Sequence, residues 1–414
     1  MTKHILVIPD GMGDKPIAAL GDRTPLEAAR TPVMDLFASR GLVGVSRNIP
    51  EGFIPGTDIG CMSVFGYDPR EYFTGRGPLE AAELGIELKS GEIAFRCNLV
   101  TLDGPVLKDF SADHISVEEA RKLLESFDAL ARKKYGDEVR FYPGKSTGYR
   151  NLFVHQSAHP GMKDALCTPP HDIMGRRYAD HLPKGPKSDL LVSLMEDSKN
   201  FFKNHPVNKK RDETGKGPAS MIWPWGQGFP PSFPSYYQRY GFQGAVISAV
   251  DLVKGIALYA GLDVIRVPGV TGYFDTNYVG KAEYAVNSLR SRDFVAIHIE
   301  STDEAGHIGD PALKIKAIED VDRLLLGTLK QGLEEFGDYK ILLLPDHFTC
   351  VETRTHSSDA VPFFVYSKRA ERKGQPKFCE RAAAASGFVV DEGHRLMNFF
   401  VKGEDCFAGA AVHA

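Results

Sequence analysis

Tryptophan is nearly missing from this chain, with two in 414 residues, and cysteine is sparse, with six. The cysteines (Cys61, Cys97, Cys167, Cys350, Cys379 and Cys406) are scattered and never form a C-x-x-C pair, so they read as reduced thiols of a cytosolic protein. No apolar run approaches the ~18 residues of a membrane span. The one near the N-terminus, in MTKHILVIPDGMGDK, meets an acid too soon for a signal sequence. Neither sign of charge dominates: 50 basic against 54 acidic residues leave a net charge of -4. That balance argues against nucleic acid or an anionic membrane surface as the main partner. There is no G-x-x-x-x-G-K-[ST] loop, so a nucleotide would need another kind of site. What is present is a globular composition, 43% hydrophobic with 41 Gly and 26 Pro, in a chain too long for one ordinary core. One large domain with a smaller one, soluble and cytoplasmic, is the expectation.

The first apolar run, HILVIPD, ends at Asp10. The second half alternates: GAVIS (244–248), DVIRV (263–267) and DFVAIHIE (293–300) read as strands, followed later by YKILLLPD and VPFFVYS. Between them AVDLVKGIALYAG, YVGKAEYAVNSLRS and ALKIKAIEDVDRLLLGTLKQGLEEFG read as helices. This alternation predicts an α/β core, a parallel sheet covered by helices on both faces. Sites in such sheets gather outside the carboxyl ends of the strands, where Asp10, Glu300 and Asp346 all fall. The rhythm breaks at 103–177, where a helix opened by a Ser116–Glu119 capping box precedes VRFYP and YRNLFVH. A compact α+β insert is expected there, within a core of 1–102 and 178–414. The Gly-, Pro- and aromatic-rich stretch 201–240 reads as an ordered loop against the core.

Aspartate and histidine recur where the sheet should place a site. ESTDEAGHIGD holds Asp303 and His307, one turn apart if a helix opens there. PDH puts Asp346 beside His347, two side chains that point to different sides of a strand end, and His356 follows in THSSDAVPF. Taken singly, each has a bland reading: a surface pair, a turn, a satisfied core histidine. Together with Asp10 they would make two mixed carboxylate and imidazole sites suited to Mn²⁺, Zn²⁺ or Mg²⁺. His4, His155, His159 and His413 show no grouping and read as structural or exposed. Thr57, after Pro55–Gly56 and ahead of a helix, is either an ordinary N-cap or a nucleophile at an anion-binding helix end.

The words VIPDGMGDKPI, GDRTPLEAARTPVMD, PGTDIGCMSVFGYDP, YFTGRGPLEAAELGI, AFRCNLVT, PDH and THSSDAVPF, in this order over nearly the whole chain, resemble one family. It is the archaeal-type, cofactor-independent phosphoglycerate mutases of the alkaline phosphatase superfamily. The resemblance implies an alkaline-phosphatase-like core and two divalent ions, Mn²⁺ foremost. Asp10, Thr57, Asp346 and His347 would hold one, and Asp303, His307 and His356 the other. Thr57 stands where the family usually has serine. Basic residues would bind the substrate's carboxylate and phosphate, with Arg96, Lys281, Arg150 and Arg76 as the candidates. The implied activity interconverts 2- and 3-phosphoglycerate through a phosphothreonine, the insert serving as a lid against water. SMIWPWGQG, CTPPHDIMG and HPVNKKR are similar to a bacterial branch for which a homoserine kinase role has been proposed. Phosphoryl transfer to homoserine and plain phosphatase action are therefore the alternatives. A sulfatase is disfavoured, since no C-x-P-x-R run occurs. Trp223 and Trp225 are packing residues unless they face substrate.

Overall fold

The structure, a computed structural model, describes residues 2–156 and 160–403. His159, His413 and Cys406 lie outside the described residues. The chain divides into two units: Thr74–Pro231, and the flanking stretches up to Phe73 and from Ser232.

The larger unit is built on an eight-stranded sheet. Its order is Val389–Val390, Leu42–Ser46, Val361–Ser367, Tyr339–Leu343, Lys3–Pro9, Phe294–Ile299, Gly244–Ile247, Asp263–Val264. Lys3–Pro9 lies in the middle, parallel to both neighbours, with Val7 opposite Ile297 on one side and Leu343 on the other. These strands are predominantly apolar because helices cover both faces, and Ile5 to Ile8 and Val295 to Ile297 are fully buried. Helices Pro32–Ser39, Tyr278–Leu289 and Pro311–Asp320 contribute Phe37, Ala282, Ala285 and Ile318 to the core.

One strand departs from the expected parallel sheet. Val361–Ser367 runs antiparallel to both Tyr339–Leu343 and Leu42–Ser46. A parallel return needs a crossover, usually a helix. Here the connecting residues instead form a small hairpin, Phe348–Cys350 against Thr355–Ser357. The long helical run after Pro311 also changes pitch, passing through a π-turn at Val321–Leu326.

The smaller unit is centred on the strand Ile93–Asp103, which pairs antiparallel with Arg150–His155, Val106–Asp109 and Met221–Gly228. Val139–Tyr142 extends it beyond Arg150–His155. The helix Val117–Tyr135 starts at the expected Ser116–Glu119 capping box and buries Ala120, Leu123, Leu124, Phe127 and Ala131 at helical spacing. Ser188–Phe202 is the other long helix.

The insert is therefore wider than the 103–177 read from the sequence. Its boundaries fall outside that range because Ile93–Asp103 is hydrogen-bonded to strands on both sides and belongs with them. The stretch 201–240 is not a loop: it holds the helix Pro206–Glu213, the strand Met221–Gly228 and the short helix Tyr236–Tyr240. Pro224 lies within that strand, which among the described residues pairs only with Ile93–Asp103 and so tolerates a missing donor. Among the described residues, no helix is long and apolar enough to cross a membrane.

Candidate metal centre

Because the three central strands are in register, their carboxyl ends open side by side. The amide of Asp10 donates to the Ile299 carbonyl (2.8 Å) and that of Leu344 to Val7 (3.2 Å). Asp10, Glu300 and Asp346 leave the sheet at one edge, and the helix Ser301–Ile308 starts there, carrying Asp303 and His307 on one face. The hairpin after Leu343 brings back His347 and His356. All six Asp and His positions picked out in the sequence thus meet. His347 Nε2 lies 3.4 Å from Asp10 Oδ1 and 3.3 Å from Asp346 Oδ2. His307 Nε2 is 3.3 Å from Asp303 Oδ2, and His356 Nε2 is 3.4 Å from Asp303 Oδ1. Two sets have ligand atoms close enough to share an ion: Asp10, Asp346 and His347, and Asp303, His347 and His356. A third comprises Asp10, His298 and Glu300.

The chemistry of these donors fits divalent cations. His307 Nδ1 faces the Arg354 carbonyl at 3.0 Å, and His356 Nδ1 faces the Pro55 carbonyl at 3.3 Å. Carbonyls only accept, so both Nδ1 atoms carry a proton, and both Nε2 atoms are the ones turned toward Asp303, where a metal would take their lone pairs. Those Nε2 atoms lie 3.0 Å apart, close enough to share a proton or a cation. Asp10 Oδ1, His347 Nε2, His298 Nε2 and Glu300 Oε2 are buried without a hydrogen-bond partner, a costly condition for polar atoms. Taken by themselves the carboxyls are strongly perturbed. Burial, with Asp346, Asp303 and Glu300 nearby, raises Asp10 well above the usual range. Glu300 is pushed to about 8, again by burial and then by Asp303. Burial would raise Asp303 also, but His307 and His356 outweigh it and hold that carboxyl well below its usual value. Positive charge is what this cluster calls for.

Thr57 is the first residue of the helix Thr57–Val64, whose N-cap is Gly56, so its side chain caps nothing. The hydroxyl instead faces Asp10 Oδ2 at 3.4 Å. Of the two readings open in the sequence, the geometry removes the N-cap. Gly60 lets the helix approach the sheet edge; a Cβ there would sit 2.7 Å from the Asp346 carbonyl oxygen.

The whole chain has relatives among known proteins. A family model described as 2,3-bisphosphoglycerate-independent phosphoglycerate mutase matches residues 38–208. The enzyme of that name from Methanosarcina acetivorans is 47% identical over 402 residues, spanning 97% of this chain and 100% of its own. The chain belongs to the 2,3-bisphosphoglycerate-independent phosphoglycerate mutase family. Among solved structures, a Pyrococcus horikoshii protein superposes with a TM-score of 0.80 at 31% identity, covering 98% of each chain. The cofactor-independent phosphoglycerate mutase of Thermoplasma acidophilum superposes at 0.66 with 27% identity, covering 97% of this chain and 99% of its own.

In this mutase-family chain the candidate arginines gather within the smaller unit. Arg96 Cζ lies 4.5 Å and Arg76 Cζ 5.7 Å from the Trp225 ring, whose Nε1–H donates to Asn98 Oδ1 (2.9 Å). Arg96 Nε is 2.8 Å from Glu80 Oε1. Burial lowers Arg96 to about 10 against the pull of Glu80, and the Arg150 and Arg76 charges lower it further. His171 packs its ring 5.3 Å from Trp225. Trp223, by contrast, is a packing residue, buried with its Nε1–H on the Thr168 carbonyl. Lys281 belongs to the larger unit, fully buried, with Nζ donating to the His298 carbonyl (2.7 Å); burial lowers it to about 8, and Glu300 opposes the shift.

His4 is structural, its ring against Phe242 and Phe400, and His155 is buried. The five described cysteines are free thiols. Sequence reasoning missed His298, whose Nε2 lies 3.0 Å from Asp10 Oδ2. Its signal was a histidine inside an otherwise apolar strand. Lys314 was missed as well, although it occupies an apolar slot with Ala317, Ile318 and Val321. It is fully buried and donates to Asp14 Oδ2 (2.9 Å), the Gly13 carbonyl (3.1 Å) and the Thr349 carbonyl (2.6 Å).

Proposed function

We propose that this protein interconverts 2- and 3-phosphoglycerate in the cytoplasm by passing the phosphoryl group through Thr57. The observation that carries the reading is the Thr57 hydroxyl, held at a helix start and facing a buried cluster of carboxylates and imidazoles. Two divalent cations are assigned to that cluster, Mn²⁺ first and Zn²⁺ or Mg²⁺ as alternatives. Asp10, Thr57, Asp346 and His347 would hold one, and Asp303, His307 and His356 the other. When bound, they supply Lewis-acid charge beside the Thr57 hydroxyl and the phosphoryl oxygens.

Thr57 Oγ1 forms the bond to phosphorus as the bond from phosphorus to the substrate's ester oxygen breaks. The hydroxyl proton leaves toward Asp10 Oδ2, its nearest acceptor at 3.4 Å, and ends on the departing glycerate oxygen. Glycerate then turns and the steps reverse at its other hydroxyl. The helix Thr57–Val64 directs its first amides at the phosphate oxygens. Arg96, Arg76 and Arg150 are assigned to the small phosphorylated substrate's anionic groups, and Lys281 to steadying Glu300 and the His298 carbonyl beneath the centre. The smaller unit is assigned the lid's task of excluding water while glycerate turns, since water would hydrolyse the phosphoenzyme.

Purified protein with Mn²⁺ is offered 3-phosphoglycerate in one reaction and homoserine with ATP in another. Formation of 2-phosphoglycerate in the first supports the reading. Phosphohomoserine in the second with none in the first overturns it, and so does free phosphate as the sole product.

A further inference from the structure

Between the two ligand sets stands a side chain assigned to neither. Thr349 is fully buried in the hairpin strand Phe348–Cys350. Its Oγ1 donates to Asp303 Oδ1 at 2.5 Å and lies 3.3 Å from His347 Nδ1. The hydroxyl has a single proton. Once that proton is given to Asp303, which as a carboxylate only accepts, the oxygen can meet His347 only as an acceptor. His347 must then carry its proton on Nδ1, which leaves Nε2 as a lone pair. That Nε2 is the buried atom without a hydrogen-bond partner beside Asp10 and Asp346.

We propose that Thr349 is a positioning residue that wires the two metal sets together, with His347 Nδ1–H donating to its hydroxyl and its hydroxyl donating to Asp303. This rests on the two-cation reading above. One hydroxyl sets the tautomer of an imidazole in one set and orients a carboxylate in the other. The surroundings hold it there. Lys314 Nζ binds the Thr349 carbonyl at 2.6 Å and fixes the backbone. Gly11 and Gly306 make room: a Cβ on Gly11 would lie 2.3 Å from Thr349 Oγ1 and 2.6 Å from Asp303 Oδ1, and one on Gly306 would lie 2.3 Å from the Thr349 carbonyl oxygen. Gly11 also takes a φ of +58°, a conformation that side chains disfavour.

The test compares Thr349→Val, which keeps shape and loses the hydroxyl, with Thr349→Ser, which keeps the hydroxyl. Mn²⁺ uptake by metal-stripped protein is followed by calorimetry. Loss of such an outer partner costs about 10–100-fold in affinity, and the valine variant is expected to lose that much in both sets at once. The serine variant should bind as the wild type does. Independently, metal-free wild-type protein labelled with nitrogen-15 histidine should show His347 neutral with its proton on Nδ1. Unchanged affinity in Thr349→Val overturns the proposal, as does a wild-type His347 protonated on Nε2, a result that stands even if the valine variant does not fold. If wild-type protein takes up no cation, the functional reading falls, and the tautomer alone decides the role of Thr349.

Discussion

Replacing Asp10 with asparagine should make the metal-free protein more stable and the metal-loaded protein less so. Burial and three neighbouring carboxyls raise Asp10 above its ordinary value of 3.8. A carboxyl raised on folding adds nothing unfavourable below the unfolded value. It then costs stability increasingly as pH climbs toward the folded value, because the unfolded chain ionises first. Asparagine keeps the shape and removes that cost, so metal-free Asp10→Asn should melt above metal-free wild type at pH 8, with the gap narrowing at pH 5. Cations reverse the order. At free Mn²⁺ of 1,000 times Kd, each site adds about 4 kcal/mol, or about 8 kcal/mol for two. At about 2 °C per kcal/mol for a unit of this size, that is a rise of about 16 °C in wild type. Asp10→Asn, with one set broken, should gain about half of it. Thermal melts by circular dichroism, with chelator and then with Mn²⁺, read both effects. A wild-type melting temperature indifferent to chelator and metal, together with a metal-free Asp10→Asn that melts lower at pH 8, would refute the reasoning.

Thr57→Ala should lose essentially all mutase turnover while still taking up Mn²⁺, more weakly in the set that Thr57 completes, and Thr57→Ser should retain substantial activity. Mass spectrometry of acid-quenched wild type should find phosphate on Thr57, and near wild-type turnover in the alanine variant would end the shuttle. Lys314→Met strands Asp14 as an unpaired buried charge, a loss of about 3–5 kcal/mol, so the melting temperature should fall by about 6–10 °C. Adding Asp14→Leu should restore part of it. Arg96→Lys gives up the stacked, forked guanidinium; losing one charge-assisted bond of about 1.5–3 kcal/mol should raise KM about tenfold or more and leave kcat little changed. A fall in kcat alone would move Arg96 out of substrate binding.

Asp303 and His307 were legible because a helix opens where the strand ends, and i,i+4 spacing then needs no knowledge of the rest of the chain. The capping box at Ser116 was legible for the same reason: it is local. The direction of Val361–Ser367 was not, since VPFFVYS reads alike both ways and only the intervening hairpin decides. Trp223 and Trp225 concealed a strand because proline and glycine interrupt its alternation. The extent of the smaller unit was hidden because strands far apart in sequence pair across it. His298 and Lys314 were missed because a polar residue in an apolar slot looks like noise until its buried partners are known. Thr349 gave no signal at all: its importance comes from two atoms contributed by other segments.

The close packing at the edge of the smaller unit bears on how such a protein could be taken apart. A Cβ on Gly228 would lie 2.1 Å from the Thr74 carbonyl oxygen, and one on Gly75 would lie 2.1 Å from that of Gln227. The unit's entry segment and its exit strand therefore touch, as the two ends of an insertion into a single loop must. Excised as a cassette, Thr74–Pro231 would begin and end at one point of its own surface, with its buried cluster complete. The larger unit could be closed by a few residues joining Phe73 to Ser232, since each doubling of such a bridge costs only about 0.6 kcal/mol of closure entropy. Architecture of this kind allows the unit that holds the carboxylate and imidazole cluster and the inserted unit to be exchanged separately.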